Sequence, residues 1–405
     1  MSHGIPLRPG TAGDFDAIYE LLAHVFHEDS EGFRDAEKIV LETDRSLICD
    51  DEGIVAGHAT AYTRDLTVPG GVVPAAHISG VGVRATHRRR GLLTSMMRRQ
   101  LTEIHEAGRE PVAVLWASET TIYPRFGYGP AAARLKLFIA NREVRLPAPP
   151  ATPPRLRMGD PAGLIPEMSR IYDEVRTTRV GWSDRAEHWW RYLVYDPKDL
   201  RDGATRLNAV IHDSPDGPSG YALWRVKDDW NHHGPNADVL VREVVATDPA
   251  AYRELWRFLL SIDLTRKVTF RNAALDEPLQ YLVDEPRRLG AVLADSLYLR
   301  LVDLPAALAA RRYAAPVDVV LEVTDPLIDA NTGRWRLTGG PDGATCSRTT
   351  DPADLECSVT DLGAAYLGGT SLATLAAAGR VRLLTANDPS LAFGWHRPPS
   401  ATETF

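Results

Sequence analysis

The chain has 405 residues, 44% of them apolar and 25% charged, which is the balance of an ordinary globular protein. Its length suits about two to four domains, and its net charge of −8 argues against general nucleic-acid binding while favouring cationic partners. No apolar run approaches the roughly 20 residues a bilayer span needs, and no basic-then-apolar leader opens the chain. Cys49, Cys346 and Cys357 are too scattered for a disulfide framework or a metal-ligand spacing, so no metal and a reducing, cytoplasmic setting are expected.

In chain order, Phe15, Ile18, Leu21, Leu22 and Phe26 make an apolar stripe, which predicts a helix over Asp14–Phe26. The acidic loop His27-Glu28-Asp29-Ser30-Glu31 follows, then a second helix over Phe33–Leu41. Strands are predicted at Arg45–Asp50 and Ile54–Asp65 around the turn Asp50–Gly53, and a meander continues through Val72–Ala76 and Ile78–Arg84. The central stretch is Gly80–Thr94, GVGVRATHRRRGLLT. Val81 and Val83 keep a strand's two-residue period. After Gly91, residues Leu92, Leu93, Met96, Met97, Leu101 and Ile104 recur at helical spacing.

His87-Arg88-Arg89-Arg90-Gly91 therefore lies where strand passes into helix. Unpaired N–H groups and the positive dipole end of the helix, with arginines and a glycine beside them, make a seat for a pyrophosphate. The plain alternative for three arginines is a solvated turn or a nucleic-acid patch. A Walker loop is excluded because no Gly-Lys-Ser/Thr follows. Pro111–Ala117 (PVAVLWA) reads as a parallel strand covered on both faces, completing a βαβ-type crossover.

Beyond Ser118-Glu119 and Ile122-Tyr123-Pro124-Arg125-Phe126-Gly127-Tyr128-Gly129-Pro130, a strand is predicted at Leu135–Ala140. Leu146–Pro154 has five prolines in nine residues and reads as a stiff linker. A second unit carries helices at Ile165–Arg179 and Arg185–Tyr195 and strands at Asn208–His212 and Tyr221–Lys227. Its strand Asp238–Thr247 leads through Asp248-Pro249 into a helix spanning Tyr252 to Leu260. The strand–loop–helix order repeats, but an aspartate repels a pyrophosphate and proline lacks an N–H, so this copy reads as having lost its cofactor site. A third unit opens near Asp303, with a helix over Leu304–Tyr313 and strands at Val317–Thr324 and Gly333–Thr338. Short helices at Leu362–Leu367 and Ser371–Ala378 follow, then Val381–Leu384 as a brief strand or an extension of the helix. The chain ends on an aromatic residue, Phe405.

Arg88-Arg89-Arg90-Gly91-Leu92-Leu93 resembles motif A of the GNAT N-acetyltransferases, departing at Leu93, where the family has a small residue. Together with Ala117-Ser118-Glu119, Ile122 to Pro130, Tyr366-Leu367-Gly368-Gly369 and the terminal phenylalanine, the chain resembles the Eis (enhanced intracellular survival) acetyltransferases. The resemblance implies an α+β (mixed α/β) chain of tandem GNAT-fold domains followed by a sterol-carrier-protein-like α+β domain. The domains would be residues 1–150 with the acetyl-CoA site, 151–302 without a cofactor loop, and 303–405, whose C-terminus reaches the active site. It further implies a homohexamer that acetylates amines of polycationic, aminoglycoside-like acceptors from acetyl-CoA, with no nucleic acid, membrane or metal involved.

Carried over residue by residue, Val81, Gly82, Val83, Arg89, Arg90, Gly91, Leu92, Leu93, Thr94, Ser118 and Glu119 would hold acetyl-CoA. Tyr123 would be the general acid and the Phe405 carboxylate the general base, with Glu28 and Glu403 at the substrate. Thr404 stands where the family has an acid directly before the terminal phenylalanine, which alters the acid lining of the substrate pocket. Chemically, a phenol of pKa about 10 keeps its proton at neutral pH yet can donate to a thiolate whose thiol titrates near ~8.5. The plain alternative for Tyr123 is a core tyrosine. A terminal carboxylate, at about 3.3–3.7, is a weak base unless buried or relayed by water, so it serves equally as an anionic clamp, or Phe405 merely fills an apolar gap. Asp29 and Glu31 read as solvated. Two rival functions remain at this level: a non-catalytic binding protein for acetyl-CoA and an apolar ligand, and an acetyltransferase of protein lysines.

Overall fold

A computed structural model describes residues 5–150 and 155–405; residues 1–4 and the last part of the proline-rich linker, 151–154, lie outside the described residues. The chain forms two compact units, one of Met1–Ala132, Ser296–Pro399 and Thr404–Phe405, the other of Ala133–Asp295 and Ser400–Glu403.

The first unit opens with β1 (Leu7–Pro9), α1 (Phe15–Phe26) and α2 (Glu31–Val40). α1 buries Ile18, Leu21 and Leu22 and ends at His27, in the left-handed region at φ 59°. α2 starts two residues before the periodicity indicates, because the Ser30 hydroxyl accepts from the Phe33 N–H at 3.1 Å and caps it. Strands β2 (Ser46–Asp51), β3 (Ile54–Val68) and β4 (Gly71–Val83) form the meander. The two short strands predicted around His77 are one strand. His77 reads as a polar interruption, yet it is fully buried with Nδ1 3.0 Å from the Ala75 carbonyl, so the extended run continues through it. α3 (Leu92–Ala107) buries Leu92, Met96, Met97, Leu101 and Ile104, and β5 (Val112–Trp116) then runs parallel to β4. β6 (Gly129–Pro130) and β7 (Ala133–Ala140) follow.

The second unit continues with β8 (Arg155–Gly159), α4 (Ile165–Arg176), α5 (Glu187–Val194), β9 (Asn208–Ser214) and β10 (Gly217–Lys227). After a small ribbon of β11 (Trp230–Asn231) and β12 (Gly234–Pro235) come β13 (Ala237–Ala246), α6 (Pro249–Leu260), β14 (Thr265–Ala273) and β15 (Val292–Asp295). The sheet order is β15-β7-β14-β13-β10-β9-β8, with β13 and β14 as its parallel pair. One core packs α6 through Leu255, Trp256 and Leu259 against Val239, Val268 and Phe270; another packs α4 and α5 through Met168, Tyr172 and Trp190 against Tyr221 and Leu223.

β16 (Leu297–Leu301) belongs to the first unit, antiparallel to β5 from Leu297↔Trp116 to Leu301↔Val112 and paired with β6. The first sheet is thus β1-β2-β3-β4-β5-β16-β6. Alternation in Leu135–Ala140 correctly marks a strand, but that strand lies in the second sheet, beside β14, while β16 completes the first.

The remaining chain adds the helix Leu304–Ala310, β17 (Val317–Thr324), β18 (Gly333–Gly340), β19 (Gly343–Arg348), β20 (Leu355–Ser358), the helices Val359–Ala365 and Leu372–Ala377, and β21 (Arg382–Leu383). Their sheet runs β19-β18-β17-β20-β21. The helix predicted at Leu362–Leu367 begins earlier, at Val359, because Ser358 and Asp361 make a reciprocal capping box. β19 carries small and polar residues on an exposed edge and has no apolar alternation to announce it.

Candidate active site

The seat for an anion is built where β4 passes into α3. The loop turns on Arg89 at φ 63° and Gly91 at φ 81°, and Gly91 is the residue capping the helix. No side chain caps that end, so among the described residues the first amides of α3 have no capping partner. A Cβ on Gly91 would meet nothing within 4 Å; glycine is required there by the backbone angle, and the approach to the amides stays open. Arg88, Arg89 and Arg90 are exposed and make no ion pair among the described residues. His87, by contrast, is buried, with Nε2 2.9 Å from Asp51 and Nδ1 2.8 Å from the Thr86 hydroxyl, and pins the loop's base. These features fit a pyrophosphate: free cations, a positive helix end and unobstructed N–H groups.

A notch adjoins the seat. β4 and β5 pair only from Ala75↔Val112 to Ile78↔Leu115, while β4 runs on to Val83. On its other side β4 is held by β3, with a register shift between His58 and Thr60 where Gly80 and Val81 bulge. His58 fixes that bulge. Its Nδ1 lies 2.8 Å from the Gly80 carbonyl and its Nε2 3.1 Å from the Ser46 hydroxyl. A carbonyl only accepts, so Nδ1 carries the proton; burial pushes the ring down to about 4 and keeps it neutral. Backbone groups of Val81, Gly82 and Val83 are thereby left free of β5, where a thioester oxygen could receive an N–H. Val81 and Val83 pack against the apolar cluster that holds Leu92, and Val81 and Leu93 against the one that holds Tyr123, so predicted cofactor residues of strand and helix share the same apolar clusters.

Tyr123 opens a short 3-10 turn, Tyr123–Phe126, and is 6% exposed. Burial, with the Glu119 charge adding, raises its phenol above the usual tyrosine range, so the proton is retained at neutral pH. Its hydroxyl has no hydrogen-bond partner among the described residues, whereas its ring meets Tyr128 edge-on at 6.2 Å. The turn is held by residues far along the chain. Arg300, fully buried, donates to the Phe126 carbonyl at 2.7 Å and grips Asp325 through both oxygens at 2.9 and 2.7 Å; Thr360 donates to the Pro124 carbonyl at 3.3 Å. Ser118 and Glu119 precede this turn and are exposed.

Phe405 groups with the first unit, its ring 4.7 Å from that of His77 on β4. Glu28 lies exposed just beyond α1, its N–H on the Ala23 carbonyl at 3.1 Å. Glu403 groups with the second unit, and its carboxylate accepts from Arg185 Nε at 3.0 Å. Sequence reasoning passed over His58, Arg300, Asp325 and Arg185. One signal was available for Arg300: a lone cation in the apolar run Leu297-Tyr298-Leu299-Arg300-Leu301 must find a buried partner.

Residues 6–131 match an acetyltransferase (GNAT) domain family, residues 181–301 a second acetyltransferase (GNAT) domain family, and residues 304–401 a sterol carrier protein domain. An uncharacterized N-acetyltransferase of Streptomyces avermitilis is 48% identical over 92% of this chain and 91% of its own length. N-acetyltransferase Eis of Mycobacterium tuberculosis is 36% identical over 81% of this chain and 79% of its own. The crystal structure of Eis1 from Mycobacterium abscessus superposes with a TM-score of 0.85 at 32% identity, covering 99% of this chain and all of the other.

Proposed function

Since the chain belongs to the Eis family of GNAT N-acetyltransferases, we propose that it moves the acetyl group of acetyl-CoA onto amines of polycationic acceptors, aminoglycoside-like molecules among them. The observation that carries this reading is the uncapped, arginine-flanked start of α3 beside the notch where β4 leaves β5. Acetyl-CoA supplies a thioester whose carbonyl carbon the amine attacks; the C–N bond forms and the C–S bond breaks. Arg89, Arg90 and the amides of Gly91, Leu92, Leu93 and Thr94 hold the pyrophosphate, with Ser118 and Glu119 along the cofactor. A β4 amide in Val81–Val83 receives the charge that develops on the thioester oxygen. Tyr123 gives its proton to the departing thiolate. The Phe405 carboxylate takes the proton the amine loses, directly or through water. Glu28 attracts the acceptor's positive charge. The same family reading assigns a homohexamer, checked by light scattering.

The test is release of free thiol from acetyl-CoA in the presence of a panel of aminoglycosides, polyamines and lysine peptides. Turnover with the polycations is expected, and Tyr123→Phe lowers kcat by about a hundredfold or more while leaving acetyl-CoA affinity near normal, the range general acid catalysis supplies. Saturable acetyl-CoA binding with no turnover on any amine would replace the enzyme by a sensor. Unchanged kcat in Tyr123→Phe would remove the acid assignment.

A further inference from the structure

The second unit has its own parallel pair and its own notch. β13 and β14 pair from Ala237↔Thr265 to Val241↔Phe270 and no further, although β13 continues to Ala246 and β14 to Ala273. Residues just past that break touch a different segment of the same chain. Asn272, two residues beyond Phe270, donates to the Thr402 carbonyl at 3.0 Å. Glu243, two beyond Val241, takes both terminal nitrogens of Arg185, at 2.9 and 2.5 Å, and the Tyr221 hydroxyl as well. Arg185 is wholly buried, lies 3.9 Å over the Tyr172 ring, and gives two further N–H groups to the chain end: Nε to Glu403 at 3.0 Å and Nη2 to the Thr402 hydroxyl at 3.2 Å. Ser400 is held by its N–H on the Val180 carbonyl at 2.9 Å and by the Trp182 indole N–H on its hydroxyl at 3.1 Å. The Ser400 carbonyl runs so close to Gly181 that a Cβ there would come within 2.4 Å of it.

We propose that this notch is a peptide-binding site whose ligand is the chain's own segment Ser400–Glu403, with Arg185 and Asn272 as positioning residues. The Ser400 N–H and hydroxyl, the Thr402 hydroxyl and carbonyl and the Glu403 carboxylate each meet a donor or acceptor of matching sense, and a buried guanidinium divided between a structural carboxylate and a tail carboxylate is a built receptor. Glu403 is then a tether and not a contact for substrate. One residue, Thr404, stands between it and Phe405, so loss of the tether frees the chain end that carries the terminal carboxylate and lowers turnover. That consequence for turnover rests on the base role given to Phe405 above; the capture does not.

The full-length protein is treated with carboxypeptidase and loss of Phe405 is followed by intact mass, for the native chain and for Glu403→Ala and Glu403→Ala/Asn272→Ala. These variants leave the Arg185–Glu243 pair whole, and thermal melting verifies folding. Release of Phe405 is expected to rise about tenfold in the single variant and further in the double, the scale of a lost charge-assisted hydrogen bond. Release at the native rate in both folded variants would overturn the capture. In parallel, kcat should fall with the KM for acetyl-CoA unchanged. Faster release with unaltered kcat would uphold the capture and strike out the base role of Phe405.

Discussion

Strand β4 enters α3 through Arg88-Arg89-Arg90-Gly91, and β13 enters α6 through Thr247-Asp248-Pro249, in two crossovers of the same design. In the first, glycine leaves the opening amides of the helix bare and three arginines stand free around them. In the second, the Asp248 carboxylate accepts from the N–H groups of Ala250 and Ala251 at 2.8 and 2.9 Å, and Pro249 removes another donor. One side chain thus supplies from within the anion that the first crossover must take from outside. The notches diverge likewise: past Ile78 the strands stand open, whereas past Phe270 the Asn272 side chain is committed to the Thr402 carbonyl, and past Val241 Glu243 is committed to Arg185, which itself holds Thr402 and Glu403. A duplicated GNAT fold keeps its shape when its ligand chemistry is exchanged, because the shape resides in the sheet and the chemistry in a few terminal residues.

The contrast is broken most severely at the first seat. Reversing both charges, in Arg89→Glu/Arg90→Glu, should weaken acetyl-CoA binding on the order of a hundredfold, about tenfold for each charge-assisted contact. Isothermal titration measures it, and raising the salt should narrow the difference from native because exposed charges are screened. Affinity unchanged in the double variant would mean that the arginines are merely solvated.

A smaller effect, on stability, sharpens the second unit. Glu277 is 6% exposed; burial raises its carboxyl from an ordinary 4.5 to about 7, against the opposing pull of Arg179, which also reaches the Ser400 hydroxyl. A carboxyl whose folded pKa is raised contributes stability fully present below its unfolded pKa and lost as pH rises through the folded one. The native protein should therefore lose stability between pH ~4.5 and ~7, roughly 3 kcal/mol from this group at most. Glu277→Gln should flatten that loss, read as melting temperature against pH, and an identical slope in both proteins would refute the assignment.

What could be read from the residues was local. The pyrophosphate seat, the α3 stripe and the loss of the seat at Asp248-Pro249 each lie within one short stretch whose spacing dictates its geometry. Tyr123 and Phe405 came from likeness to a family, since a lone tyrosine or a terminal aromatic carries no periodic signal. What stayed hidden was nonlocal. β7 and β16 are legible as strands, but which sheet each joins depends on partners far along the chain, Thr269 for Phe138 and Val114 for Leu299. Arg185 reaches Glu403 across 218 positions and Arg300 reaches Phe126 across 174, distances over which spacing predicts nothing. His58 was unreadable for another reason: a buried neutral histidine in an apolar strand differs from a solvated one only in what surrounds it.

The smallest expected effect asks whether the second seat is only capped or still able to receive a ligand. Asp248→Ala removes the acceptor from two amides of α6 and leaves Pro249 in place, so the protein should lose about 1 kcal/mol of stability, as for other helix caps turned to alanine. Acetyl-CoA should still bind with one-to-one stoichiometry and native affinity, because freed amides alone lack the arginines and the open strand end that make the first seat. A second equivalent of acetyl-CoA in the titration of this variant would show that the carboxylate of Asp248 alone separates the two crossovers, and that the notch past Val241 can release the segment it holds.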